Sequence, residues 1–194
     1  MIKSKLPNVS TTIFSVMSQL ANEHQAINLA QGFPDFNADS ELISRLNYYS
    51  TQNYNQYAPM TGVEKLRVLL SEKYSNLYQS DYDFQNEINI TSGASQAIFN
   101  VVSTLIHPND EVIIFEPAYD LYQPTVELFG GKIVPIQLKY PEYSIDFEEL
   151  KKKINDKTKL IIVNNPNNPT GKILSENDLK QFEQILKAVS YTHL

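Results

Sequence analysis

Cysteine is absent from the 194 residues. That excludes a disulfide framework, a thiol nucleophile and any cysteine-ligated metal. The absence fits a reducing cytoplasm, which is the expected location. Histidine is scarce. His24, His107 and His193 lie far apart in sequence and share no metal-ligand spacing, so each is read as a surface or structural residue and no metal site is expected. No apolar run approaches the roughly 20 residues that cross a bilayer, and the opening MIKSKLPNVSTTIF lacks the long apolar stretch of a signal peptide. A membrane partner is therefore not expected. Basic charge is in deficit. Sixteen Lys and Arg against 22 Asp and Glu leave a net charge of −6, which argues against a nucleic-acid partner because such binders carry a basic patch. Repeats, low-complexity tracts and blocks of like charge are missing too.

What is present belongs to a globular chain. With 42% hydrophobic and 20% charged residues, the length is sufficient for one sizeable core. The first 40 or so residues differ from the rest. TTIFSVMSQLANEH spaces Ile13, Met17, Leu20 and Ala21 as a helix, and the irregular INLAQGFPDF follows. ADSELISRLNYYS and GVEKLRVLLSEKYSNLY read as amphipathic helices, the second with a stripe of Val63, Leu66, Leu70 and Tyr74. From Glu87 the pattern alternates. EINIT, EVIIF, GKIVPIQL and KLIIVNN read as strands. SQAIFNVVSTLI, YDLYQPTVELF, DFEELKKKI and SENDLKQFEQILK read as the helices between and after them. Asp146, with Glu149 three residues on, and Ser175 are the expected helix caps. Alternation of this kind predicts an α/β fold: a mostly parallel sheet with helices on both faces. Ligands in such sheets bind beyond the carboxyl ends of the strands.

Three strand ends carry candidate chemistry. TSGASQA, Thr91 to Ala97, is a glycine-containing turn that opens into a helix, whose unpaired N–H groups form an anion site. Gly93, Ala94 and Ser95 leave that backbone open to a phosphate. The same turn reads equally as an ordinary strand-to-helix connection with a serine cap, and its one glycine is too few for a dinucleotide fingerprint. EPAYDLY places Tyr119 where its ring can stack on a planar ligand or sit in the core. NNPNNPTGK, Asn164 to Lys172, follows the last strand. Asn165 and Asn168 each precede a proline, which favours an extended path along the crevice. Their amides offer both donors and an acceptor.

Taken in order, these residues resemble the class I/II aminotransferases, the fold-type-I pyridoxal-phosphate enzymes. NNPNNPTGK is similar to the family's N-x-P-x-N-P-x-G segment, and AQGFPDF, NQYAPMTGVEKLR, TSGASQAI and EPAYDLYQP match in the same order. KLPNVSTTIFSVMSQLANEHQAINLAQGFPDF is closest to the methionine and aromatic (kynurenine-type) branch. The resemblance implies the PLP-dependent transferase fold and pyridoxal 5'-phosphate as cofactor. It implies that the backbone N–H groups at Ala94 and Ser95, in the turn with Gly93, take the phosphate, and that Tyr119 stacks on the ring. Asn168 would donate to the ring's phenolate oxygen and lie near the substrate carboxylate, as would the backbone of Gly32. Tyr57 would reach the phosphate of a neighbouring subunit, which implies a homodimer; a partly buried aromatic is its other reading. Residues 1–44 would be an N-terminal arm and small-domain portion, and 45–194 an incomplete large domain.

The family's Schiff-base lysine, its acid for the pyridine nitrogen and its substrate-binding arginine have no counterpart here. No catalytic residue is expected within the chain, and neither Lys172 nor Lys180 is given that role. Residues 188–194 depart from the family pattern and are expected to be a non-native tail on an N-terminal portion. The expected activity is transfer of an amino group from methionine or an aromatic amino acid to a 2-oxo acid, with the chain alone inactive. A cysteine-conjugate β-lyase and a non-catalytic module binding a phosphate-bearing ligand or partner remain open.

Overall fold

The computed structural model describes residues 3–7, 9–32 and 34–189. The chain divides into two compact units, Thr11–Ala94 and Met1–Ser10 with Ser95–Leu194.

The second of these holds the sheet. Strands β1 (Glu111–Glu116), β2 (Lys132–Gln137) and β3 (Thr158–Ile162) lie in the order β2-β1-β3, and both pairings are parallel. β1 is central, and Val112 to Phe115 are buried in succession, as expected of a strand covered on both faces. Alternate residues point to opposite sides. Val112 and Ile114 join Val102 of α4 (Gly93–Leu105), Ile106 just beyond it, and Tyr122 and Val126 of α5 (Tyr122–Leu128) in one cluster. Ile113 and Phe115 join Ile136, Leu138, Phe147 and Leu150 of α6 (Phe147–Lys153), and Phe182 and Ile185 of α7 (Glu176–Ala188), in the other. The step from β1 to β2 and the return past β1 to β3 run in opposite directions. Right-handed crossovers then place α5 and α6 on opposite faces. The connections leaving β1 and β3 therefore diverge, and the crevice of such a sheet opens between strand ends of that kind.

Local signals explain the boundaries. Asp146 accepts from the Glu149 N–H (2.9 Å) and opens α6. Glu149 itself pairs with Lys153 instead of closing a capping box. Ser175 and Asp178 form a reciprocal box at the start of α7. Pro124 is the third residue of α5, where its missing N–H would have had no intrahelical acceptor. Pro135 is tolerated in β2 because that strand is an edge.

Thr11–Ala94 contains α1 (Ile13–Glu23), α2 (Ser40–Ser50) and α3 (Glu64–Tyr78). Two expectations fail here. EINIT forms no strand, because a strand exists only through a neighbour's ladder and none of the described residues supplies one; the Ile90 N–H bonds instead to the Thr61 carbonyl (3.0 Å). The expected stripe of α3 is largely uncovered, with Val63, Leu66 and Tyr74 all exposed. The buried residue of that helix is Arg67. Among the described residues of this unit only Gly62 and Arg67 are buried, so it has no apolar core of its own.

Candidate functional site

The first turn of α4 is shaped by Gly93, whose φ of +82° is open to glycine but strained for other residues. No atom lies within 4 Å of where a side chain would start. The Gly93 N–H bonds to the Thr91 carbonyl (2.9 Å), and the Thr91 hydroxyl donates to the Gly93 carbonyl (3.1 Å). Ala94 and Ser95 follow, exposed, at positions whose N–H groups have no intrahelical acceptor. The backbone is thus presented to solvent with partial positive charge, suited to an anion.

Tyr119 sits three residues beyond β1. Its half-buried ring packs against the α4–α5 cluster together with Ile98 and Ala118. Ile98 lies one turn along α4 from Ser95, so the helix start and the ring belong to the same face of the sheet. Tyr122 meets Tyr119 edge to face at 5.8 Å and 78°. Burial, with Tyr119 beside it, pushes the Tyr122 phenol above its ordinary range and keeps it neutral. Tyr119 lines a cleft of about 590 Å³ with Glu116, Asp120, Gln123, Glu127 and Gln137 among its walls.

In NNPNNPTGK the asparagines divide their work. Asn165 Oδ1 accepts from the Leu174 N–H (3.0 Å). Asn167 Oδ1 accepts from the Thr170 hydroxyl (2.9 Å) and the Thr170 N–H (3.3 Å). Asn167 also closes the loop through its backbone, with its N–H to the Lys172 carbonyl and its carbonyl to the Gly171 N–H, both at 2.8 Å. The extended track expected of this segment is therefore not what forms: these bonds fold it back between Asn167 and Lys172. Both Asn–Pro bonds are cis. Asn168 is exposed at the bend, and its amide forms no hydrogen bond among the described residues.

The expected residues do not line one cleft together. Tyr119 lines the cleft, whereas Ser95 and Asn168 do not. Asn164, Asn167 and Lys172 line a second, smaller cavity walled by Phe115 and Leu138 on the α6–α7 face. Lys172 is therefore half-buried there, not on the outside as its place in the sequence suggests. In Thr11–Ala94, Gly32 has no atom within 4 Å of its missing side chain, and Tyr57 is fully exposed, so its reading as a partly buried aromatic fails. His193 and the end of the expected tail, residues 190–194, lie outside the described residues, while Ala188 ends α7. Sequence reasoning missed Arg67, although its spacing from Val63 and Leu70 puts it on the stripe's own face. Among the described residues no helix is long and apolar enough to cross a membrane.

The fold is α/β, with a glycine turn opening a helix, a half-buried tyrosine beyond the central strand and an amide that the loop itself does not engage. Comparison with known proteins agrees. Residues 24–191 match the family "Aminotransferase class I and II", and the chain belongs to it. That match extends into the segment expected to be foreign. The chain is 41% identical to methionine aminotransferase of Escherichia coli, over 95% of this chain and 48% of the relative. It is 33% identical to human kynurenine–oxoglutarate transaminase 3, over 91% of this chain and 41% of the relative. A crystal structure of an Escherichia coli protein reported to have a methionine aminotransferase function superposes with a TM-score of 0.92 at 40% identity, covering 97% of this chain and 49% of that one. The N-succinyldiaminopimelate aminotransferase of Mycobacterium tuberculosis gives 0.91 at 33% identity, covering 98% and 50%. The chain spans about half the length of the curated relatives it matches. Enzymes of this family depend on pyridoxal phosphate.

Proposed function

We propose that these residues are the N-terminal portion of an aminotransferase that moves an amino group from methionine or an aromatic amino acid to a 2-oxo acid. The observation that carries this is the 41% identity to a methionine aminotransferase across nearly the whole chain, joined to an Asn168 amide that the loop itself does not use. The donor set suits the cofactor: N–H groups for a phosphate, an aromatic ring for stacking, and a neutral amide for a phenolate. Bound there, pyridoxal phosphate supplies an electron sink for the substrate's α-carbon. The chain's own residues bind and orient. Ala94 and Ser95 would hold the phosphate by their backbone N–H groups, Tyr119 would stack on the ring, and Asn168 would donate to the ring oxygen. Gly32 leaves room for a substrate carboxylate against its backbone.

The same reading takes residues 1–44 as arm and small-domain portion and 45–194 as large-domain portion. It places the enzyme in the cytoplasm as a homodimer, with the fully exposed Tyr57 reaching a neighbour's phosphate. The lysine that bonds the cofactor is assigned outside these 194 residues. Of the chain's lysines, Lys139, Lys151, Lys153, Lys180 and Lys187 each pair with a carboxylate at 2.5–2.7 Å. Lys172 lines the cavity on the face opposite Tyr119. The full-length protein loaded with cofactor should transfer the amino group of methionine or an aromatic donor to a 2-oxo acid. Cofactor binding without transfer from any of these donors, or elimination from a cysteine conjugate in its place, overturns the assignment.

A further inference from the structure

Arg67 is the one buried charged side chain among the described residues, at 8% exposure. It forms no ion pair among them. Its guanidinium instead gathers backbone carbonyls from two separate turns. Nε donates to the Gly62 carbonyl (3.3 Å), and Nη1 donates to the Phe84 carbonyl (2.6 Å) and the Gln85 carbonyl (3.5 Å). Its carbon centre stands 6.0 Å from the middle of the Phe84 ring. The first turn closes through the Gly62 N–H to the Pro59 carbonyl, and the second through the Glu87 N–H to the Asp83 carbonyl, both at 2.8 Å. The two turns then meet again further along. The Thr61 carbonyl accepts from the Ile90 N–H (3.0 Å). Gly62, at φ +94°, lies so close to Ile90 that an added methyl would stand 2.4 Å from its side chain. Gly93 is three residues beyond Ile90.

We propose that Arg67 is a positioning residue that clamps the 59–62 turn to the 84–90 run and so aims the Gly93 turn at its phosphate. The proposal rests on the cofactor reading above. The physical reason is that one planar fork satisfies carbonyls of both turns at once, a geometry that a single ammonium does not reproduce. Removing it takes the donors from the buried Gly62 carbonyl and the half-buried Phe84 carbonyl, and leaves the Ile90–Thr61 bond as a backbone link between the two turns.

The test uses Arg67→Met and Arg67→Lys in the full-length protein. Affinity is measured for inorganic phosphate and for pyridoxal, which lacks the phosphate, and amide exchange is followed at Ile90 and at Ile113 in β1. In Arg67→Met, phosphate affinity should fall about tenfold or more, as for loss of a charged donor. Exchange at Ile90 should speed up by a similar factor, while pyridoxal affinity and Ile113 exchange stay unchanged. Arg67→Lys should fall between; if the Met variant does not fold, the Lys variant decides alone. Phosphate affinity within twofold of the unsubstituted protein, an equal loss for pyridoxal, or an unaltered Ile90 amide overturns the proposal. If the unsubstituted protein holds no phosphate, the cofactor reading and the positioning role fall together, and the Ile90 rates alone then report the clamp.

Discussion

Asn165, Asn167 and Asn168 are chemically identical, and what separates them is where their amides end up. The first two hold the loop, through Leu174 and Thr170. The third is exposed and unengaged within the chain. Substituting Asn168 with alanine should accordingly leave stability and cofactor retention near those of the parent. It should also weaken turnover by the equivalent of roughly 1.5–3 kcal/mol, the value of a hydrogen bond to a charged group, and displace the cofactor's absorbance-versus-pH curve. An unmoved curve in that variant removes Asn168 from the ring oxygen. The motif was legible in the sequence as something more specified than a turn. Which of its amides was free was not, because that depended on a backbone closing on itself from Asn167 to Lys172.

Helix caps operate at the scale of single elements. Ser175 accepts from the Asp178 N–H, and Asp178 answers by accepting from the Ser175 N–H (2.8 Å). Ser175→Ala should lower stability by about 1 kcal/mol, read as a reduced melting temperature with an unchanged fold. At α6 the cap is also a titrating group. The Lys139 ammonium bonded to Asp146, then the Glu149 N–H, hold the Asp146 carboxyl below its ordinary range. A carboxyl depressed in the folded state stabilises above its unfolded pKa, near 3.9, and that contribution is lost as pH falls through the folded value. Asp146→Asn retains a capping oxygen but cannot titrate. Its stability should therefore decline less steeply than the parent's below about pH 4, as followed by circular dichroism during acid titration; parallel curves would remove Asp146 from the acid limb.

For the whole molecule, the contrast between the two units dominates. Both apolar clusters lie in the unit with the sheet, whereas Thr11–Ala94 exposes Leu20, Leu46, Leu66, Tyr57 and Met60. Exposed apolar surface on that scale marks contact with something else, in keeping with a chain about half as long as its relatives and with the proposed dimer. The 194 residues alone are expected to show no amino transfer above the rate of free cofactor. In the proposed site, phosphate turn, tyrosine and amide would contribute contacts of about 1–3 kcal/mol each, against an association cost of roughly 4–15 kcal/mol. The assay is purified chain with excess cofactor, methionine and a 2-oxo acid. Clear turnover would overturn the assignment of the lysine outside the chain and make a lysine within it, Lys172 first, the candidate for the catalytic role.

Short-range order was already set by the sequence: the seven helices, three of the four expected strands, the caps at Asp146 and Ser175, the parallel alternation and the ordered motifs all follow from periodicity and from side chains reaching their own backbone a few residues away. Tertiary structure decided the rest. It made β1 the central strand, left EINIT without a ladder, uncovered the α3 stripe and turned the asparagine segment back on itself. It also buried Arg67 between two turns, although its residue type favours the surface. Each of these depends on a partner distant in sequence, and a local pattern records what a segment offers to such a partner but not whether the partner arrives.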